Sequence, residues 1–195
     1  MNLLILGLII FLGIHSARVF AQAPRQALIE RWGPGAWKGA YSALSLVGLV
    51  LIVQGYGQAR LDPVVLWLPP VGMRHAASLL TLLAFILVAA AYVPGNVIKA
   101  RLRHPMTLSV KTWALAHLLA NGNLADVLLF GGFLVWAVLV FRAARARDRL
   151  QPAEPEATRP IALLACIVAG AAAWAAFAFW AHAAWIGVRP FGGAA

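Results

Sequence analysis

The chain is written as a series of apolar runs, several close to 20 residues long, with its charge collected in the short segments between them. A run of that length crosses the roughly 30 Å hydrocarbon layer as an α-helix. In lipid, a helix satisfies its backbone hydrogen bonds within itself. The pattern therefore predicts an all-α, polytopic transmembrane helical bundle of about six spans. The 195 residues allow one domain, 1–195. The spans fall at about 3–20, 39–57, 73–93, 105–120, 124–141 and 161–188. Residues 22–38 carry Pro24, Gly33, Pro34 and Gly35 with Trp32 and Trp37. They read as an interfacial loop anchored by aromatic rings. Ala21-Gln22-Ala23 resembles a signal-peptidase site, but Met1-Asn2 supplies no positive n-region. The first run is read as a retained helix.

Charge sets the orientation. If 105–120 crosses, 13 of the 16 Lys and Arg residues fall on one side, leaving Arg60, Arg74 and Arg189 on the other. If it does not cross, the split becomes nearly even. The positive-inside rule selects the crossing. Both termini are then non-cytoplasmic, and 18–38, 99–111 and 142–160 face the cytoplasm. A turnback hairpin of 105–120 with 124–141 gives the same sidedness. The net charge of +10 follows from these loops. No soluble basic domain remains to present a face to nucleic acid.

Within this apolar chain, 63% hydrophobic with six acidic residues, five histidines stand out: His15, His75, His104, His117 and His182. An ionisable group inside a span costs roughly 2.5–3.5 kcal/mol on insertion scales and marks a functional site by default. His75 and His182 fall near the outward ends of their spans. His104 and His117 lie 13 residues apart and cannot share one helical face. His15, within about a turn of Arg18, and His117, deeper and toward the other side, are the intramembrane pair. The plain alternative for each is an interhelical hydrogen bond. Two histidines on different helices can also hold a haem iron from both sides.

Other chemistry is thin. The lone Cys166 lies in the last run and reads as a packing residue. Asp126 suits the start of its helix. Ala165, Ala169 and Ala173 form a small-residue stripe for close helix packing. Trp174, Phe177, Trp180 and Trp185 serve packing and anchoring. No carboxylate pair, nucleophile elbow or phosphate loop is present, so no catalytic residue is assigned.

Three stretches carry a resemblance. The centre reads Arg101-Leu102-Arg103-His104-Pro105-Met106-Thr107-Leu108, then Trp113 to Ala125 through Ala116-His117-Leu118, then Leu129-Phe130-Gly131-Gly132-Phe133. Gly13-Ile14-His15-Ser16-Ala17-Arg18 opens the chain and His182 to Pro190 ends it. Together they resemble the NnrU family over nearly the whole length. That resemblance implies a multi-pass protein of the bacterial inner membrane, linked to nitrite and nitric oxide metabolism in denitrification. It also implies kinship with zeta-carotene isomerase, which holds b-type haem through two histidines. Carried across, the haem b ligands fall on His15 and His117, with His104 a further family histidine. Isomerase-like activity on a lipophilic small molecule, met in membrane lipid, is then the expected chemistry.

The centre is also similar to membrane methyltransferases that use S-adenosylmethionine. Arg103-His104-Pro105 matches their Arg-His-Pro, but Thr107 and Ser109 stand where they carry Tyr and Gly. The missing Gly removes a place where backbone approaches the cofactor closely. A non-catalytic membrane scaffold is the third alternative.

Overall fold

The computed structural model describes residues 1–150 and 157–191, and these are helical throughout apart from turns and one isolated bridge. The helices are α1 (Asn2–Phe20), α2 (Gln22–Ala59), α3 (Gly72–Tyr92), α4 (Val97–Leu102), α5 (Pro105–Ala120), α6 (Leu124–Leu150) and α7 (Pro160–Ala176). A π-helical turn (Phe177–Ala181) and α8 (His182–Ile186) continue α7. Among the described residues, five helical segments are long and apolar enough to cross a membrane: α1, α2, α3, α6 and the continuous stretch Pro160–Ile186. The sixth expected segment, α5, has 16 residues, about 24 Å of helix, and is shorter than a full crossing.

Two expected loops are helical. Residues 22–38 belong to α2, which breaks only at Gly33 (φ 82°, ψ 159°) into 22–32 and 34–59. Pro24 falls in a first turn, where its missing N–H has no helical partner to lose. Pro34 opens the second segment, where a fixed φ suits the helix. Gly33 takes the positive φ that other residues avoid. The bend brings the Arg25 guanidinium 5.7 Å above the Trp37 ring. At the other end, α6 runs on to Leu150, through the first part of the expected loop 142–160. Apolarity stops at Phe141, but Arg142-Ala143-Ala144-Arg145-Ala146-Arg147 are strong helix formers. Arg147 and Arg149 in the last turn also suit the negative helix end. The part of that loop at 151–156 lies outside the described residues. The basic segment around Lys99 and Arg101 is likewise a short helix, α4.

The chain divides into two compact units. The first comprises Met1–Leu68 and Gly122–Ala143. Here α1 packs antiparallel on α2 through glycines. A Cβ on Gly7 would lie 2.6 Å from the Ile52 nitrogen, and one on Gly48 would lie 2.9 Å from the Phe11 nitrogen. A Cβ on Gly55 would strike the Leu4 backbone. The contacts step by three and four residues in both helices (Leu4, Gly7, Phe11 against Gly55, Ile52, Gly48), and the absence of side chains at the glycines lets the backbones meet. On α6, Gly132 faces the Leu8 and Leu12 side chains. The extended strap 64–67 is bound to the turn before α6. Leu66 and Trp67 both donate N–H to the Gly122 carbonyl at 2.8 and 3.1 Å, and Leu124 donates to Val64 at 2.8 Å. Gly122 is required there because a Cβ would collide with the Trp67 carbonyl oxygen.

The second unit comprises Pro69–Asn121 and the described chain from Ala144 onward. In it α3 packs against α5 and α7. The expected stripe Ala165, Ala169, Ala173 is exposed, and the face that packs is Ala162, Cys166 and Gly170. A Cβ on Gly170 would lie 2.5 Å from the Ile86 Cα. Nearly every face of α7 is small, so residue size alone does not give its phase. Cys166 is fully buried, as a packing residue should be. Trp174 donates its indole N–H to the Thr81 hydroxyl at 3.1 Å, and Phe177 meets the Phe85 ring at 5.8 Å. Trp180 and Trp185 are exposed.

Asn96 joins helix ends around the Pro94-Gly95 turn. Its Nδ2 donates to the Ala90 and Val93 carbonyls at the end of α3, and its Oδ1 accepts from the Lys99 N–H at the start of α4. One buried side chain thereby answers orphan groups of two helices.

Candidate functional site

His15 lies five residues before the end of α1, half-buried within the first unit. Its Nδ1 is 2.7 Å from the Phe11 carbonyl oxygen, one helical turn earlier. Its ring stacks on Phe11 (centroids 4.1 Å apart, planes at 27°). Tyr41 of α2 lies at 5.2 Å and Trp136 of α6 at 6.3 Å, edge-on at 85°. Phe133 completes the group, 5.8 Å from Phe11 and 6.5 Å from Trp136. Three helices of one unit thus surround His15 with aromatic rings.

His117 lies three residues before the end of α5, half-buried within the second unit. The local device is the same. Its Nδ1 is 2.9 Å from the Trp113 carbonyl oxygen, one turn earlier. Its ring meets Trp113 at 5.1 Å. The His117 carbonyl in turn accepts from the Asn121 side chain at 2.8 Å, which closes the end of α5.

These hydrogen bonds determine the tautomer. A carbonyl oxygen only accepts, so each Nδ1 carries the proton and donates. With Nδ1 protonated, the neutral form of the imidazole carries its lone pair on Nε2, the form that ligates a metal. A backbone carbonyl on the other nitrogen is the usual support for such a ligand. Each such imidazole, taken within its own unit, is a nitrogen donor of the type that ligates haem iron.

The remaining histidines have other work. His104 stands just before α5, without capping it through its side chain, after Arg103 with its unusual φ of 63°. Its Nε2 is 2.9 Å from Asp148 Oδ2, and the same oxygen lies 3.5 Å from Arg103 Nε and 3.8 Å from Arg145 Nη1. The Arg-His pair of the central run therefore closes an ionic cluster with the end of α6. His75 is exposed near the start of α3. His182 Nδ1 donates to the Val188 carbonyl at 2.7 Å, across the left-handed turn at Gly187 (φ 76°). Its tautomer is tied to closing that turn, not to a helix interior. Among the described residues no group of three or more His, Cys, Asp or Glu gathers as a metal site.

A family model described as NnrU protein matches residues 3–190. The chain belongs to the NnrU family. No curated protein and no solved structure matches it. The NnrU match covers both histidine-bearing units and ends beyond the His182 turn.

Sequence reasoning missed two partners. Asp148 sat in a stretch read as loop, where a carboxylate among arginines looks solvated. Trp136 falls within the apolar run 124–141, which singles out none of its residues. Its signal was available in part: an indole carries a donor that lipid cannot satisfy.

A second polar group stands in the first unit. Asp126 is 2% exposed. It accepts from the Tyr56 hydroxyl at 2.5 Å and from the Asn123 N–H at 3.0 Å. The second contact is half of a capping box at the start of α6. Asp126 thus meets its expected place at a helix N-terminus, with a tyrosine as added donor.

Proposed function

We propose that this NnrU family protein binds haem b through His15 and His117 as axial ligands to the iron. The observation that carries this is the repeated local device: on two separate helices, a histidine gives its Nδ1–H to the carbonyl four residues earlier, beside an aromatic ring. Such an imidazole is held in rotamer and tautomer before any ligand arrives. Haem would supply a redox-active iron. The chain's own residues orient the two donors and surround His15 with rings that exclude water.

On this reading the protein acts on a lipophilic small molecule entering from the bilayer, with isomerase-like chemistry. Its setting is nitrite and nitric oxide metabolism of a denitrifying bacterium, and its place is the inner membrane. Methyl transfer has no comparable support, because Arg103 and His104 are engaged with Asp148.

The test is a haemin titration of the full chain purified in detergent, read as the Soret band. Wild type is expected to give a low-spin, bis-imidazole spectrum. His15→Ala and His117→Ala should each lose it. An unchanged spectrum in both variants, or no band in wild type, overturns the proposal.

A further inference from the structure

The segment that joins α1 to the long apolar part of α2 carries charge that the protein itself does not answer. Arg18, Arg25, Arg31 and Lys38 lie within residues 18–38, and Glu30 is the only carboxylate there. Glu30 Oε1 accepts from the Gln26 amide at 3.2 Å. None of the four cations forms an ion pair among the described residues. Arg25 is nonetheless placed. Its guanidinium lies over the Trp37 ring, a contact that holds a cation without neutralising it. Trp32 and Trp37 beside these cations are residues of the headgroup level.

An apolar groove runs into this basic segment. It lies between α1 and α2, is open along its length and has a volume of about 360 Å³. Its walls include Ile9, Gly13, Ala17 and Phe20 of α1 and Leu44 of α2, and it ends at Ala21. Ser16 brings the wall its one hydroxyl, which is already donated to the Leu12 carbonyl at 2.6 Å. At Gly13 the groove is roomy: a Cβ there would meet nothing within 4 Å. Residues 9–21 cover about 18 Å of helix, close to one leaflet of the roughly 30 Å hydrocarbon layer. Arg18 follows the wall residue Ile14 by one turn on the same helical face. Arg25 follows Ala21 by one turn, with its N–H bonded to the Ala21 carbonyl at 3.0 Å. The apolar groove and the unanswered cations therefore adjoin.

We propose that this groove, with Arg18 and Arg25, is a binding site for an anionic phospholipid. One acyl chain lies along the groove, and the phosphate rests on the two guanidiniums. A wall with no open donor suits hydrocarbon, and guanidinium is the side chain whose fork matches phosphate. Basic residues at the headgroup level favour anionic lipid by about 1 kcal/mol each, roughly 5-fold. An apolar partner helix would cover the groove but bring no anion to the arginines. His15 is not among the wall residues, so the site is independent of the haem reading.

The experiment is native mass spectrometry of the full chain released from detergent micelles. Dioleoyl phosphatidylglycerol and dioleoyl phosphatidylcholine are supplied in equal amounts, so the acyl chains match and only the headgroup charge differs. Wild type should retain the phosphatidylglycerol roughly 10-fold or more over the phosphatidylcholine. Arg18→Gln and Arg25→Gln should each lower that preference about 5-fold. Gly13→Phe, which fills the groove at a position with room for a Cβ, should lower retention of phosphatidylglycerol by about 5-fold or more. Its thermal unfolding in micelles should match that of wild type. Equal retention of the two lipids by wild type overturns the proposal without recourse to a variant, so a misfolded variant does not shield it. Full retention in Gly13→Phe puts the lipid elsewhere and also overturns it, as does an unchanged preference in both arginine variants. A second copy of the chain held in place of lipid, and lost in Gly13→Phe, makes the groove a contact between copies and overturns it as well.

Discussion

Asp126 shows how a single carboxylate can be kept at 2% exposure in a chain built for lipid. One oxygen takes the Tyr56 hydroxyl and the other the Asn123 N–H, so both have donors. Breaking such a set by removing one partner leaves the remaining group buried and under-satisfied. Tyr56→Phe is therefore expected to destabilise the folded chain by about 1–3 kcal/mol, measured by denaturant or thermal unfolding in micelles. A change below about 0.5 kcal/mol would mean that the carboxylate finds another donor. At this scale the sequence was partly legible. Asp126 was readable as a helix-start residue because Asn121-Gly122-Asn123 marks the turn before it. Tyr56 was not, since its partner is 70 residues away and no local pattern carries that separation. His15 and His117 were legible as ionisable groups in apolar runs. The carbonyl that fixes each tautomer depends on a side-chain rotamer, which sequence does not state.

At the scale of elements, periodicity and length located the apolar helices, with α5 at the expected 105–120 though shorter than a full crossing. Misreadings arose where two signals that usually travel together part. Proline and glycine usually mean loop, yet Pro24 and Pro34 occupy first turns and only Gly33 breaks the helix. Charge usually ends a span, yet the Ala- and Arg-rich end of α6 keeps its helix after hydrocarbon length is spent. On α7 the phase was wrong because alanine covers several faces at once. In contrast, the glycines between α1 and α2 have a definite consequence. Gly48→Leu would drive a side chain into the Phe11 backbone, expected to cost about 1–3 kcal/mol or more by overpacking. Gly57→Leu, at a glycine with open space around it, should cost far less. Paired unfolding curves of the two variants check this, and equal losses would refute the packing account.

At the scale of the molecule, the positive-inside rule predicts the sidedness of the chain, with a short α5. The end of α6 is expected on the cytoplasmic side. Alkaline phosphatase fused after Leu150 is expected to be inactive in cells, and strong activity there would reverse the assigned sidedness. The register of α1 on α2 bears on how this molecule can move. Gly7 meets Ile52, Gly48 meets Phe11 and Gly55 meets Leu4, so a one-turn slide would set Gly7 near Gly48 or Gly55 but drive side chains into the other two contacts. A piston stroke of the first helix is thereby disfavoured. Gly48 sits against Phe11, whose carbonyl holds His15. The depth of that imidazole in the bilayer is consequently tied to the glycine register of α1 on α2.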